Sequence, residues 1–545
     1  EKKYIDINTI DLHDLEVYDN IFSKGNTIGI FQFESDGMRD YLSQLKPTCI
    51  DDLISMTSLY RPGPMGSIPE FIARKKGEAK IKYLHPLLEP ILNQTYGIIV
   101  YQEQVMEITS AIGGFTLAEA DIMRRAMGKK KKNLMASYKV QFVEGGAKKG
   151  LNKSTAIEIF ELLEKFAAYG FNKSHAAAYA IISYQTAWLK HYYPTEFMAA
   201  NISSDINDTS KVVKLISDAK KMNITILPPD INSSYADFTI AENHVIQYGL
   251  AAIKNVGYKV AELIGKERDS NGLYKTIFDL CTIDSNLINK KALESLILVG
   301  ACNSLEEHQG QLYESLDIII NFSSKYHKNK NSNQENLFNS EQMAKTIFPD
   351  LKEAEKWNQD IKIKHEKELL GFYLTFNPLE RYYEDLNELS SVDSSGLNLH
   401  KTELVKLGGL ISEVNLRYDK NNNQWAILIL DTQFGNIQVY VFHTTYIKYI
   451  NDIKVDNAIF IKGSVSMQSD EYYITQLIAN KIYPLHDIKK RLIRNINIKF
   501  NFELNDIKYL DNLEVICKSY PGRCNIMLYM YRSNRRPQRI LINKY

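Results

Sequence analysis

The spacing of apolar residues changes along the chain from a helical period to an alternating one. From residue 1 to about residue 205, apolar positions recur every three or four residues, as they do in 117–127. This spacing predicts a mainly helical region. Capping patterns and polar clusters mark the expected starts of three helices, at Thr116, Thr155 and Ser174.

After Lys401 apolar and polar residues alternate, which predicts strands. The expected strands are Val405–Leu416, Trp425–Asp431, Ile437–Phe442, Ala458–Ser464 and Tyr472–Ala479, with a short helix from Thr444 to Ile450. Five short strands with a helix after the third is the order of an OB-fold, a small barrel that often binds oligonucleotides. An SH3-like or other small barrel would give the same pattern.

Basic and aromatic residues lie on the first three of these strands and in the loop between the first two. Aromatic side chains stack on the bases of single strands, and cations bind the backbone. The candidates for binding single-stranded DNA are therefore Arg417, Lys420, Trp425, Tyr440 and Phe442.

Between the two regions, the segment from Gly249 to Ile264 predicts a helix, a tight glycine-containing hairpin and a second helix. Such a helix-hairpin-helix binds DNA phosphate through hairpin amides without reading bases. A plain helical turn explains the same residues. Further helices are predicted from Asn289 to Gly300 and from Glu353 to Leu370. A polar segment from Asn321 to Ser340 lies between them.

Composition excludes several classes of protein. The 545 residues are 44% apolar and 24% charged, which is ordinary for a globular chain and unlike a disordered or fibrous one. The five cysteines form no C-x-x-C pair, so a disulfide scaffold or a cysteine zinc site is not expected. We expect no transmembrane helix, since no run of eighteen apolar residues occurs, and no signal peptide.

The net charge is only +1, but basic residues are concentrated locally. From Asp121 to Lys153 there are ten Lys or Arg and two acidic residues. Arg124, Arg125 and Lys129 suit a triphosphate or a nucleic-acid backbone, because guanidinium groups bind phosphate bidentately. Alternatively, these residues favour a helix C-terminus through its dipole, and the lysines are solvated.

Three shorter motifs also have two interpretations. Asn172, Lys173 and His175 lie where a helix begins, so they indicate either an anion site or a plain N-cap. Arg61 precedes Pro-Gly-Pro, a rigid turn that would hold its side chain in a defined place. The segment is either a structural turn or a functional loop. Leu337 and Phe338, large apolar residues in the polar segment, either dock into a partner's groove or pack on their own domain.

Taken together, these motifs resemble one family closely, the alpha subunit of bacterial DNA polymerase III. The resemblance is dense from about residue 20 to 300, thins to architecture and short motifs up to 485, and is weak after 486. The matching segments are Ile30–Ser35, Tyr60–Pro64, Thr95–Met106, Arg124–Lys130, Phe166–His175 and Leu227–Asn232.

The resemblance implies a multidomain α+β fold, with mainly helical fingers and helix-hairpin-helix regions, a β-barrel OB-fold and a small α/β C-terminal domain. The implied domains are fingers (1–205), a helix-hairpin-helix region (206–320), a clamp-binding segment with a helical linker (321–399), the OB-fold (400–485) and a tau-binding-like C-terminal domain (486–545).

The implied activity is that of a cytoplasmic DNA-directed DNA polymerase, which transfers a nucleotide from a deoxynucleoside triphosphate to a primer 3′-hydroxyl during replication. The family binds Mg²⁺ on palm aspartates that precede Glu1, so we expect no catalytic or metal-binding residue in this chain. The alternative is a stand-alone module that binds DNA and the sliding clamp without catalysis.

The resemblance also implies binding residues and partners. The expected partners are primer–template DNA, deoxynucleoside triphosphates, the sliding clamp (beta subunit) and the clamp-loader tau subunit, and a proofreading subunit is left open. No membrane partner is expected. The implied sites are Arg61, Arg124, Arg125, Lys129, Asn172, Lys173 and His175 for nucleotide and primer–template, Gly249, Lys254, Asn255 and Gly257 for duplex DNA, and Gln334, Leu337 and Phe338 for the clamp.

Overall fold

The chain divides into two units, Glu1–Thr375 and Phe376–Tyr545. The computed structural model describes residues 5–128, 132–167, 170–283, 288–331, 348–391, 404–432, 435–467, 475–493, 495–501, 508–522, 524–532 and 538–542. None of the helices in these ranges is long and apolar enough to cross a membrane.

The described part of the first unit is mainly helical. Its α-helices are α1 (Leu15–Val17), α2 (Asp36–Leu45), α3 (Ile50–Leu59), α4 (Ile68–Lys75), α5 (Glu89–Leu92), α6 (Gln102–Gly113), α7 (Leu117–Gly128), α8 (Lys132–Lys148), α9 (Lys153–Ala167), α10 (Lys173–Tyr192), α11 (Pro194–Ser204), α12 (Thr209–Lys221), α13 (Tyr258–Asn271), α14 (Ile277–Cys281), α15 (Lys290–Val299), α16 (Gln309–Glu314), α17 (Leu316–Asn331) and α18 (Gln359–Leu370).

A small sheet lies between α12 and α13. It consists of β1 (Thr225–Leu227), β2 (Thr239–Glu242) and β3 (Val245–Gln247). β3 is central, parallel to β1 and antiparallel to β2. The alternating pattern of the sequence did not indicate these strands, since each has only three or four residues.

Three apolar cores stabilise the first unit. One joins the segments before residue 101 to α10. A second lies inside a bundle of α6, α7, α8 and α9, which we call the helical lobe (residues 86–167). The third joins α11 and α12 to the small sheet and to α13 through α18. The lobe therefore has a core of its own, and its position depends on the chain segments that enter and leave it.

Side-chain caps set the starts of the lobe helices. The predicted capping box at Thr116 is confirmed, because the Glu119 carboxylate accepts hydrogen bonds from the Thr116 N–H and hydroxyl, both at 2.8 Å. The predicted start at Thr155 is wrong. α9 begins at Lys153, because the Asn152 side chain accepts from the Thr155 N–H at 2.7 Å and takes the role of the cap.

The predicted boundary at residue 320 falls inside α17. Helix α18 packs against α15, and Leu369 and Leu370 belong to the third core, so residues beyond 320 complete the helix-hairpin-helix region. The helix expected from Glu353 begins only at Gln359, where Asn358 accepts a hydrogen bond from the Ile361 N–H at 3.0 Å.

The second unit contains a closed barrel. After α19 (Tyr383–Leu389), its elements are β4 (Leu404–Tyr418), β5 (Gln424–Thr432), β6 (Gly435–Val441), α20 (His443–Tyr449), β7 (Ala458–Met467) and β8 (Thr475–Pro484). The barrel order is β4-β5-β6-β8-β7, and the predicted helix after the third strand is present. The period-two pattern therefore predicted all five strands to within a few residues.

A small α/β region follows the barrel. Its elements are α21 (Ile488–Leu492), β9 (Asn495–Asn501), α22 (Lys508–Ser519), β10 (Asn525–Tyr531) and β11 (Gln538–Ile542). β10 is central, parallel to β9 and antiparallel to β11. With the helical first unit and the barrel, this region confirms the predicted fold class.

A buried ion pair joins α10 to α12. The Lys190 side chain is 0% exposed, and its ammonium donates to the Asp218 carboxylate at 2.6 Å and to the Ile28 carbonyl at 2.7 Å. Burial lowers the pKa of Lys190, and the charge of Asp218 opposes that shift. The pair links the first core to the third.

We predict that Asp218→Asn lowers the free energy of unfolding by about 3–5 kcal/mol, because it leaves the buried Lys190 ammonium without a counter-charge. The measurement is urea unfolding followed by the fluorescence of Trp188, which lies on the same helix as Lys190, in a background where the other two tryptophans, Trp357 and Trp425, are replaced by phenylalanine. The control is Asp205→Asn, which removes a half-exposed partner of the exposed Lys211. Equal, small effects of both variants would contradict the prediction.

Candidate nucleotide and nucleic-acid interfaces

The helical lobe is attached to the first core where two chain segments cross. Tyr101 and Phe171 form a parallel β-bridge. The Gln102 N–H donates to the Phe171 carbonyl at 2.9 Å, and the Phe171 N–H donates to the Val100 carbonyl at 3.1 Å. We call residues 98–104 together with 170–175 the junction. It places the starts of α6 and α10 side by side.

Glutamine side chains fix the backbone of the junction. The Gln104 carbonyl oxygen accepts from the Val100 and Tyr101 N–H groups at 2.9 and 3.0 Å. The Gln102 amide donates to the Gly170 carbonyl at 2.9 Å. Since Gln104 is buried, its bonds replace those that water would otherwise make to this loop.

The start of α10 is capped by the chain itself. The Asn172 side-chain oxygen accepts from the His175 N–H at 2.8 Å, so Asn172 is the N-cap, and α10 begins one residue before the predicted start at Ser174. The Glu103 carboxylate accepts from the Lys173 N–H at 3.0 and 3.1 Å, and from the Asn172 amide at 3.1 Å. Two of the donors that a helix start offers to an anion are therefore already engaged.

Lysine and arginine side chains flank this helix start. The Lys173 ammonium donates to the Gln94 side chain at 2.8 Å and lies 5.4 Å from the centre of the Tyr101 ring. The Arg61 guanidinium lies 4.5 Å from the centre of the Phe171 ring, and its Nε donates to the Ser58 carbonyl at 2.7 Å. Burial lowers the pKa of Arg61.

His175 belongs to a row of rings along α10. Its imidazole lies 4.4 Å from the Tyr179 ring and 5.5 Å from the Phe171 ring, between centroids. The Tyr179 ring stacks on Phe31 at 5.2 Å. Of the seven residues predicted for nucleotide and primer–template binding, Arg61, Asn172, Lys173 and His175 therefore meet at the junction.

Arg124 and Arg125 lie elsewhere, on the last turns of α7. Both pair with the Asp121 carboxylate at 2.7 Å. The hydrogen bond from Arg124 is the main reason that the pKa of Asp121 lies below its usual value. The Arg124 side chain is 17% exposed and that of Arg125 is 68% exposed, so Arg125 is the more accessible cation. Lys129 lies outside the described residues.

Two acidic residues of these sites, Glu103 and Asp121, were not among the predicted residues. Asp121 is three and four residues before the arginines, a spacing that places the three side chains on one helix face. That signal was available in the sequence. Glu103 had no such signal, because its partners at residues 172 and 173 are distant in sequence.

The predicted hairpin residues divide into interior and surface positions. A Cβ on Gly249 would lie 2.7 Å from the Ala236 carbonyl oxygen, so this glycine allows close packing inside the third core. A Cβ on Gly257, the residue before α13, would meet nothing within 4 Å. Lys254 and Asn255 are exposed, so Lys254, Asn255 and Gly257 form the accessible part of the hairpin.

The backbone of the hairpin differs in detail from the predicted pair of helices. Its first element is a single 3₁₀ turn, Leu250–Ala252. Asn255 has a φ of 70°, in the left-handed region, and its amide donates to the Ser295 hydroxyl at 3.1 Å. This bond fixes the turn against α15 and leaves the start of α13 open.

The barrel has an aromatic cluster on its outer face. Trp425 lies 6.0 Å from Tyr440 and 5.7 Å from Phe442, between ring centroids. Arg417 is the cross-strand partner of Trp425, so both side chains lie on the same face. Lys420 is exposed in the turn between β4 and β5. All five predicted residues are therefore outside the barrel core.

Gln334, Leu337 and Phe338 lie outside the described residues. The described residues also contain no group of three or more His, Cys, Asp or Glu side chains that could hold a metal ion.

Three successive regions of the chain match known protein families. A model of the bacterial DNA polymerase III alpha subunit finger domain matches residues 1–150. A helix-hairpin-helix motif matches 223–312, and an OB-fold nucleic acid binding domain matches 405–485. The matches confirm the predicted helix-hairpin-helix and OB-fold.

Curated relatives cover almost the whole chain. The DNA polymerase III subunit alpha of Borreliella burgdorferi is 40% identical over 98% of this chain, and those of Buchnera aphidicola from Acyrthosiphon pisum and Escherichia coli K12 are 38% and 35% identical over 98%. The chain belongs to the bacterial DNA polymerase III alpha-subunit family. It spans about half the length of these relatives, with 47% of each covered.

The finger-domain match ends at residue 150, before α10. The similarity to whole alpha subunits continues through α10. The roles of the individual junction residues therefore stay predictions. A solved mitochondrial single-stranded DNA binding protein from S. cerevisiae is 14% identical over 15% of this chain, with a TM-score of 0.13, and supports no conclusion.

Proposed function

We propose that this chain supplies the fingers and the DNA-binding parts of a DNA-directed DNA polymerase. In the whole enzyme, the primer 3′-hydroxyl attacks the α-phosphate of a deoxynucleoside triphosphate. The observation that carries the proposal is the match of the finger-domain model to residues 1–150, together with relatives that continue through the hairpin and the barrel in that order.

The cations of the first unit suit a triphosphate. The Arg125 guanidinium pairs with Asp121, and the Lys173 ammonium bonds to the exposed Gln94 side chain and lies over the Tyr101 ring. Charge-assisted bonds from such groups neutralise phosphate oxygens as charge develops in the transition state. Arg61, held against Phe171, adds a third cation near the start of α10.

The other two regions suit DNA. Lys254, Asn255 and Gly257 place a cation and the uncapped start of α13 at one surface, which fits the phosphate backbone of a duplex. The outer aromatic cluster of the barrel fits the unpaired bases of the template strand. Mg²⁺ supplies the two-metal activation of the hydroxyl and the triphosphate, and we assign its ligands to a part of the polymerase outside this chain.

Two further partners and a location are proposed from the family resemblance. We propose that Gln334, Leu337 and Phe338 bind the sliding clamp, that residues 486–545 bind the clamp-loader tau subunit, and that the polymerase works in the cytoplasm, with or without a proofreading subunit. A clamp-binding peptide needs one glutamine and an apolar pair, and the sequence has both in a polar segment.

The competing function is a DNA- and clamp-binding module without catalysis. Nucleotide incorporation on a primed template distinguishes the two. We expect incorporation by the whole polymerase that contains this chain and none by the chain alone. A whole protein that binds DNA and clamp but incorporates no nucleotide would establish the module instead.

Within the whole polymerase, we predict that Arg125→Ala raises the KM for the triphosphate about 10–100-fold, because a charge-assisted phosphate contact is lost. Arg124→Ala should also weaken binding and, since Arg124 is more buried, should lower stability. Lys139→Ala is the control, since Lys139 is a surface cation of the same lobe paired with Glu161. Wild-type kinetics for both arginine variants would show that the two arginines only stabilise the C-terminal end of α7.

For the barrel, we predict that Trp425→Ala weakens the binding of oligo-dT by the chain at least fivefold, because stacking contributes about 1–3 kcal/mol per base. Phe442→Ala should have a smaller effect of the same sign. The measurement is fluorescence anisotropy of labelled oligo-dT at two salt concentrations. Ile447→Ala, an exposed apolar residue on α20, is the control. No affinity of the wild-type chain for oligo-dT would contradict the assignment.

For the clamp, we predict that Leu337→Ala combined with Phe338→Ala weakens clamp binding at least tenfold, about 1.4 kcal/mol. A few anchor residues dominate the affinity of such peptides, so truncating both removes most of it. Binding is measured by surface plasmon resonance, and synthesis without the clamp should be unchanged in the whole polymerase. An equal loss of clamp-free synthesis would show that the pair packs on its own domain.

A further inference from the structure

The Glu103 carboxylate lies between the starts of two long helices. Glu103 is the second residue of α6, and both of its carboxylate oxygens accept from the first N–H of α10, that of Lys173. The same carboxylate accepts from the side chain of Asn172, the N-cap of α10. One acidic group therefore bonds to the cap and to the first residue of α10 while it belongs to α6.

The backbone N–H groups at the two helix starts attract the Glu103 carboxylate. Each helix start has a partial positive charge from its unpaired N–H groups. A carboxylate that faces two helix starts is attracted by both, and hydrogen bonds to an ionised acceptor are about twice as strong as those between neutral groups. Glu103 thus links the helical lobe to the start of α10.

The residues that this link holds are the ones assigned to the nucleotide. Asn172 is fixed on one side by the His175 N–H and on the other by Glu103. The backbone of Lys173 is fixed by Glu103, and its side chain extends to Gln94 of the lobe. Without Glu103, the lobe and the start of α10 would keep the backbone bridge but lose the only acidic side chain shown bonding to both Asn172 and Lys173 in the described residues.

We propose that Glu103 is a positioning residue for the triphosphate. It holds the start of α10 against the start of α6, so that Lys173 and His175 keep one orientation toward the nucleotide. The inference rests on the proposed polymerase function. The simpler expectation for an acidic residue beside a phosphate site is that it repels the nucleotide. A repelling carboxylate would weaken nucleotide binding, whereas a positioning carboxylate strengthens it.

The experiment measures single-nucleotide incorporation by the whole polymerase on a primed template, with Glu103→Ala and Glu103→Gln. We expect Glu103→Ala to raise the KM for the triphosphate about tenfold, with kcat within about twofold, because bonds that preorganise binding groups are lost. Glu103→Gln keeps one acceptor oxygen and loses the charge, so its KM should lie between those of the wild type and the alanine variant.

Glu161→Gln is the matched control, since Glu161 is an exposed acidic residue of the same lobe paired with Lys139 at 2.9 Å. Its KM should equal that of the wild type. A merely structural role of Glu103 would reduce the amount of active enzyme, which lowers kcat and leaves KM unchanged. An unchanged KM overturns the proposal, and so does a lowered KM, which would indicate repulsion.

The experiment distinguishes failure of the proposed polymerase function from failure of the proposed role of Glu103. If the wild-type whole protein incorporates no nucleotide, the proposed function is wrong and this inference with it. If the wild type is active and Arg125→Ala raises KM while Glu103→Ala does not, only the role of Glu103 is wrong.

Discussion

The arrangement of the first unit depends on the backbone bridge between Tyr101 and Phe171. The helical lobe has its own apolar core, so packing inside the lobe does not determine how it sits on the rest of the unit. It is attached to the first core at the junction, where the segment that leads into α6 pairs with the segment between α9 and α10 by a few main-chain hydrogen bonds. The neighbouring polar side chains Gln102, Glu103 and Gln104 add bonds that a short bridge cannot supply alone.

Polar side chains also fix the loop at the end of the Leu227–Asn232 segment. The Asp230 carboxylate accepts from the Asn232 N–H at 2.7 Å and from the Ser304 hydroxyl at 2.9 Å. The Asn232 side chain exchanges two hydrogen bonds of 2.9 Å with the backbone of Tyr274. The motif therefore connects three distant loops of the helix-hairpin-helix region, and its polar residues satisfy backbone groups that would otherwise lack partners.

Local signals predicted most of the fold, and long-range contacts account for what they missed. The barrel strands followed from alternation, and the cap at Thr116 followed from its spacing to Glu119. Thr155 failed because Asn152, another good capping residue, lies three positions earlier. The sequence also could not separate Gly249 from Gly257, since burial of one and exposure of the other depend on the loop at Ala236. Glu103 was missed for the same reason, because its partners lie about seventy positions away.

The buried pair of Lys190 and Asp218 has a consequence for how this protein can change during evolution. Loss of either charge alone leaves the other in an apolar core, whereas an apolar pair of similar volume could replace both with little cost. A lineage would therefore have to pass through a poorly folded intermediate or acquire both changes together. Residues 190 and 218 should therefore change together in related sequences. Their ion pair connects α10, which bears His175, to α12, in the region that contains the hairpin.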